Sequence, residues 1–410
     1  MTPDIWLIGR LDQLKLVAER LAADGRLARW DSPSRILQTG WMARRIPRLT
    51  NRITSQAVAR VSGSHNLMEL AWRPVRRLSG RHRYTVEWLA EMNLDLLAYL
   101  SEPRSYRILH GQSAYCRWAG QLARKHGKLF VHDLYCQLPH RRRQQYADEF
   151  AAHGLTFVDI SERVLARTVA TAREADAVLV PSDDVRDAAI EAGIAREKLH
   201  VVPYDSPLGQ RLLQRERPPR SEGPIRLLHV GAIGIEKGVA YLYNAFQQLR
   251  ARHPGQFELH IAGGTRTLGE EYLTKFGDTI HYHGQLRPEA LEELYFGCDV
   301  FVFPSLSEGY SLALSEALAA GLPAIVARDA RGSVIDGENG LVVPPRDTQA
   351  IVAAVERLTN MPLRAHLSER ARQTIRALSA ESYPKRVMRV YDQLLAEQRV
   401  SQGAKSDREK

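Results

Sequence analysis

Apolar residues in this chain come in short continuous runs separated by stretches of helical spacing. Residues 5–8, Ile-Trp-Leu-Ile, end at Gly9, and Leu11, Leu14, Val17, Ala18 and Leu21 follow at helical intervals. That pattern predicts a strand, a turn and an amphipathic helix. Further strands are predicted at 107–110, 129–132, 177–182 and 199–203, with helices at 118–125 and 185–192. Between Pro203 and Pro224 the composition shifts to Pro, Arg, Ser and Gly, which reads as a linker. The alternation then resumes. Strands are predicted at 225–230, 257–262, 280–283, 300–303, 324–327 and 340–343, and helices at 241–252, 289–296, 311–320, 351–358 and 386–397. Strands alternating with helices imply parallel sheets covered on both faces. The expected fold is therefore α/β, with two doubly wound Rossmann-like domains facing a crevice.

A length of 410 residues suits two domains. The expected boundaries are an N-terminal domain over 1–205, a linker over 206–224, a second domain over 225–380, a closing helix over 381–398 and a polar, disordered tail over 399–410. No run approaches the ~20 apolar residues of a membrane-spanning helix. The three cysteines, Cys116, Cys136 and Cys298, lack metal or C-x-x-C spacing. This predicts a reduced cytoplasmic setting without disulfides or a bound metal.

Charge changes the picture. The net +10 is carried entirely by residues 1–150, which hold 25 basic against 13 acidic residues, while the remainder holds 32 against 34. No acidic residue occurs between Asp31 and Glu69, and Arg44, Arg45, Arg48 and Arg52 lie in that gap among Trp41, Met42, Ile46 and Ile53. Arginines interleaved with apolar residues suit an anionic bilayer. An Arg-rich loop over an acceptor site is the alternative. No helix-turn-helix, zinc or RNA-binding motif supports a nucleic-acid partner.

Candidate chemistry concentrates in Phe303-Pro-Ser-Leu-Ser-Glu308-Gly309-Tyr310-Ser311-Leu312-Ala-Leu-Ser-Glu316-Ala-Leu-Ala-Ala-Gly321-Leu-Pro323. This is strand, loop and helix, and ligands of open parallel sheets bind beyond the carboxyl ends of the strands. Backbone amides at 309–312 open a helix and suit an anion. Glu308 and Glu316 are placed to point into one crevice, where ionised carboxylates accept from neighbouring hydroxyls.

This segment resembles the E-x7-E signature of family 4 retaining glycosyltransferases. Colinear matches are Val230-Gly231-Ala-Ile-Gly-Ile-Glu236-Lys237-Gly238, His260-Ile-Ala-Gly263-Gly264, Asp299-Val-Phe-Val-Phe-Pro-Ser305 and Asp336-Gly337-Glu-Asn339-Gly340. Upstream, 174–182 and 198–203 resemble the end of that family's N-terminal domain. The resemblance is dense over 170–345 and thin before 105. It implies the GT-B fold, with the last helix crossing back to the first domain. It also implies a UDP- or GDP-linked sugar donor in the C-terminal half, an acceptor in the N-terminal half, and transfer of a hexosyl or N-acetylhexosaminyl group to a glycan or lipid-linked acceptor. No cofactor or metal is implied.

By the same resemblance Glu308 contacts the donor sugar, Glu316 the ribose and Lys237 the diphosphate, with Gly231, Gly309, Tyr310, Ser311 and Leu312 around them. His132 is similar to the histidine that reaches the reaction centre, and His110 is its rival. Three positions depart from the pattern. Ala232 stands where arginine is common, making Arg266 the candidate substitute cation. Ser311 replaces a commoner glycine, so its hydroxyl should narrow the space near the sugar. Ile8-Gly9-Arg10 offers one glycine where a glycine-rich loop is usual. A nucleotide-sugar epimerase of the same fold and a catalytically impaired, transferase-like binding subunit are the competing readings.

Overall fold

The computed structural model describes residues 3–9, 12–32, 36–37, 53–64, 83–112, 116–136, 138–158, 162–218 and 223–406. Arg44, Arg45, Arg48 and Arg52 lie outside the described residues.

Two wholly parallel sheets form the architecture. The first contains β1 (Ile5–Ile8), β2 (Leu27–Ser32), β5 (Ser62–Ser64), β6 (Ile108–Gln112), β7 (Leu129–Asp133), β8 (Ala177–Val180) and β9 (Leu199–Val201), in the order β5-β2-β1-β6-β7-β8-β9. The second contains β10 (Ile225–Val230), β11 (Phe257–Ala262), β12 (His281–Tyr282), β13 (Val300–Phe303), β14 (Ala324–Ala327) and β15 (Gly340–Val343), in the order β12-β11-β10-β13-β14-β15. The short strands β3 (Ile36–Leu37) and β4 (Ile53–Thr54) pair separately. Apolar runs such as Ile5–Ile8 and Val300–Phe303 are buried along their whole length, because helices cover both faces of a parallel sheet.

Each sheet winds outward from its middle and then reverses. The reversal falls between β1 and β6 in the first sheet and between β10 and β13 in the second. At such a switch point the loops leave in opposite directions and open a crevice beyond the carboxyl ends of the strands.

The halves are less separate than the sequence implies. Residues 207–214, expected to be linker, form a helix whose Leu208 and Leu212 are buried against Phe301, Ala317 and Leu318 of the second domain. The proline there serves as a helix start and not as a break, since Ser206 caps the turn by accepting from the Gly209 amide at 3.0 Å.

The last helix, Tyr383–Ser406, runs well past the expected end at 398, so most of the predicted disordered tail is helical. Its Tyr383, Val387, Tyr391 and Leu395 are buried with Ile5, Leu14, Val17 and Ile108 of the first domain. Arg386 and the Tyr383 amide both donate to Asp205, at 2.7 and 2.6 Å, and pin the crossing.

Candidate active site

The loop after β10 and the loop after β13 flank the second switch point, and the principal candidate residues lie on them. Lys237 Nζ is bonded to Glu308 Oε1, joining the two loops. Ser305 Oγ donates to the same Glu308 oxygen at 2.8 Å, and Leu306 N–H donates to the Glu236 carbonyl at 3.1 Å. Gly238 has φ of 71°, and a side chain there would run into the Pro304 carbonyl, so the loops approach only because this residue is glycine.

Arg266 reaches the same place through its backbone. Ile233 N–H donates to the Gly264 carbonyl at 2.8 Å, and Arg266 N–H donates to the Ile233 carbonyl at 2.7 Å. The turn after β11 is thereby laid alongside the loop after β10. His229, near the end of β10, donates from Nδ1–H to the Val302 carbonyl at 3.0 Å. Burial, with Lys237 nearby, holds its imidazole down at about 4, against some offset from Glu308 and backbone contacts. It is therefore neutral at physiological pH.

Glu316 sits differently from the expectation that both glutamates face one opening. It is 9% exposed. Ser206 Oγ donates to one carboxylate oxygen at 2.6 Å and Tyr295 OH to the other at 3.0 Å. Burial raises its pKa despite these two donors. The Ser311 hydroxyl does not stand free beside the site either. It caps the helix Leu312–Ala319, accepting from the Leu314 amide at 3.2 Å. Tyr310 is directed inward, edge-on to Tyr204 with centroids 5.7 Å apart.

The N-terminal domain closes over this loop. Ser182 Oγ donates to the Gly309 carbonyl at 2.7 Å. A side chain at Gly309 would lie 2.5 Å from the Tyr135 carbonyl, so the domains meet at bare backbone. Arg331 Nε donates to Asp184 at 3.0 Å, and Gln145 to Asp329 at 2.5 Å. These contacts set the carboxyl ends of β7, β8 and β13 against one another.

The helix Pro139–Ala152 contributes side chains that sequence reasoning passed over. Tyr146 OH donates to the Ser307 carbonyl at 3.4 Å. Its phenol is pushed above the usual tyrosine range, first by burial and then by Glu308 and Glu236, with Arg142 and Arg266 acting the other way. Arg142 therefore belongs to the same electrostatic cluster as Arg266 and Glu308. The signal was the Arg141-Arg142-Arg143 run, in a helix whose start is marked only by Pro139. At the far end of that helix Phe150 is buried in the core of the second domain.

His132 lies one residue before the end of β7 and is wholly buried, with Cys116 Sγ 3.6 Å from Nδ1 and, among the described residues, no hydrogen-bond partner for Nε2. His110 is equally buried, 2.6 Å from Tyr391 OH of the last helix. Burial holds both imidazoles down at about 3. Asp133, next on β7, is held up at about 7 by burial, against a hydrogen bond from Tyr204 OH at 3.4 Å.

Two doubly wound sheets whose strand ends face each other, with cations beside the switch point of the second, are the architecture of GT-B glycosyltransferases. The described residues contain no helix long and apolar enough to cross a membrane. The family model described as glycosyl transferases group 1 matches residues 210–374, and the one described as a glycosyl transferase 4-like domain matches residues 49–205. The chain belongs to the family 4 type of GT-B glycosyltransferase.

Its relatives include an MMP alpha-(1->4)-mannosyltransferase of Mycolicibacterium hassiacum, 29% identical over 251 residues, which are 58% of each chain. An alpha-D-kanosaminyltransferase of Streptomyces kanamyceticus is 32% identical over 215 residues, covering 48% of this chain and 55% of that protein. The chain thus spans little more than half the length of these relatives. Sucrose-phosphate synthase of Thermosynechococcus elongatus shares the fold, with a TM-score of 0.63 at 21% identity, covering 96% of this chain and 100% of the other. Anabaena HepE in complex with UDP does so with a TM-score of 0.62 at 15% identity and the same coverage.

Proposed function

We propose that the chain transfers a hexosyl or N-acetylhexosaminyl group from a UDP- or GDP-linked donor to a hydroxyl of a glycan or lipid-linked acceptor, with retention of configuration. The observation that carries this reading is the Lys237–Glu308 ion pair across the switch point of the second sheet. A donor diphosphate competes with Glu308 for Lys237. The released carboxylate then turns to the hydroxyls of the sugar, where it accepts rather than pairs. Arg266 and Arg142 supply the charge that Ala232 does not.

In the reaction the bond between the anomeric carbon and the diphosphate oxygen breaks, and a bond from that carbon to the acceptor oxygen forms on the same face. The acceptor proton passes to the departing phosphate oxygen. The nucleoside diphosphate leaves with its charge met by the cations and the amides at 309–312, so catalysis needs no metal. Glu316 serves the ribose, which would share the carboxylate with Ser206 and Tyr295. The basic N-terminal region is proposed to hold the acceptor side against an anionic membrane from the cytoplasm.

The binding of UDP by HepE and the mannosyl transfer of the M. hassiacum protein support this class of donor. Nucleoside diphosphate release, measured over a panel of UDP- and GDP-sugars with and without lipid-linked acceptors, tests it. Release with at least one donor, stimulated by an acceptor, is the expected outcome. Donor binding without release in any combination would instead favour the binding-subunit reading.

A further inference from the structure

A second cluster of side chains lies on the edge of the sheet that carries the donor site. β12 is the outermost strand, and its register sets His281 opposite His260 of β11. Alternate residues of a strand share a face, so Glu258 joins His260, and His283 follows His281. The His260 ring stacks on His281 with centroids 4.5 Å apart and on His283 at 5.4 Å. One ligand atom each from Glu258, His260 and His281 lie within 4.8 Å of one another.

The hydrogen bonding in this cluster is incomplete at one atom. His260 Nε2 is buried, 3.6 Å from Glu258 Oε2, and makes no hydrogen bond among the described residues. His260 Nδ1 is 3.1 Å from His283 Nε2. With Nδ1–H as the donor, the lone pair of His260 is on Nε2, on the side of Glu258. Arg226 Nε donates to Glu258 Oε2 at 2.9 Å and fixes that carboxylate.

We propose that Glu258, His260 and His281 bind a first-row transition-metal ion of the zinc type, with His283 as a positioning residue. Two imidazoles and one carboxylate, with water in the fourth place, are a common zinc ligand set. Magnesium and calcium prefer all-oxygen sites. A ligand histidine regularly donates its other ring N–H to an outer partner, which fixes its tautomer. His283 takes that part toward His260.

His281 is exposed, which gives the ion a path from solvent. The ion would clamp the edge strand next to the Gly263-Gly264 turn, because Gly263 N–H donates to the Gly284 carbonyl at 2.8 Å and His283 N–H to the Ile261 carbonyl at 2.9 Å. None of the three ligands belongs to the proposed donor site, so this site is a brace and takes no part in transfer.

Calorimetric titration of Zn2+ into full-length, untagged, chelator-treated protein tests the proposal, with Co2+ visible absorption as a second reading. Expected are one ion per chain, a higher Tm with Zn2+, and Co2+ bands of a four-coordinate nitrogen–oxygen site. His281→Gln, a change at an exposed position, should abolish this binding and leave the metal-free Tm unchanged. His283→Gln should weaken affinity roughly 10–100-fold. Absence of saturable binding in the wild type, or one ion per chain retained in His281→Gln, overturns the site. Wild-type affinity in His283→Gln removes the positioning role.

Discussion

Lys237 and Glu308 hold each other across the point where the second sheet reverses direction. Each is therefore the other's competitor for ligand. Lys237→Ala should weaken binding of UDP or GDP much more than binding of the free nucleoside. Glu308→Gln should release the lysine and leave diphosphate affinity equal to or above wild type, while turnover falls on the order of 10²–10³. Titration calorimetry with the nucleotides and donor-panel kinetics read both effects. Equal losses of nucleoside and diphosphate in Lys237→Ala would point to a folding defect.

Asp133 and His132 are neighbours on β7 with opposite titrations. Burial sets the Asp133 carboxyl at about 7, above its ordinary 3.8, and the His132 imidazole at about 3, below its ordinary 6.5. The folded state binds the Asp133 proton more tightly than the unfolded state, so its contribution to stability declines as pH rises from about 4 to 7. For His132 the folded state favours the neutral ring, so its contribution grows as pH rises from about 3 to 6.5. Asp133→Asn should accordingly gain on the wild type as pH rises, and His132→Asn should lose ground. Each slope is at most about 1.4 kcal/mol per pH unit. Denaturant unfolding across this range measures both difference curves, and slopes of one sign would contradict the assignment.

Ser311 is a helix cap. Ser311→Ala should cost about 1 kcal/mol of stability and Ser311→Gly only a few tenths. Discrimination between donor sugars should stay the same in both. A shift in sugar preference, read from kcat/KM over the donor panel, would return the hydroxyl to the sugar side of the loop.

The basic excess of residues 1–150 predicts salt-sensitive membrane association. Replacing Arg44, Arg45, Arg48 and Arg52 together by Gln should abolish sedimentation with anionic vesicles, at ~1 kcal/mol per arginine near the surface. Donor binding should be unaffected. Added salt should release the wild type in the same way, since the attraction decays within a Debye length of roughly 10 Å at 0.1 M. A wild type that ignores anionic vesicles at low salt favours a soluble acceptor.

Most of the fold was legible because buried parallel strands are continuous apolar runs. The strands at 225–230, 257–262, 300–303 and 324–327 fall where that pattern places them. The amphiphilic elements were harder. β2 carries Arg29 and Asp31 inside a strand because Asp31 accepts from the Trp6 indole at 2.7 Å as well as from Arg29. The helix Pro139–Ala152 opens with arginines and looks like solvated loop, yet it carries Phe150 into the other domain. Local spacing cannot show which side chain crosses a crevice, so Arg142 and Tyr146 went unread, while Glu308 stood out on a loop beyond a strand end and Lys237 through the family resemblance. It equally cannot show that Ser206 and Tyr295 converge on Glu316, from positions 110 and 21 residues away.

The last helix has a consequence for the order of synthesis. β9 of the first domain ends at Val201, yet the residues that cover β1 and the helix Asp12–Ala23 reach to Leu395. About 190 residues must be made in between, which takes roughly 10–40 s at ~5–20 residues per second. During that interval Ile5, Leu14, Val17 and Ile108 lack their covering side chains, and the second domain has time to form first. The domain that begins the chain is thus the last to be finished, and a nascent chain halted before Tyr383 presents this apolar face to chaperones and proteases.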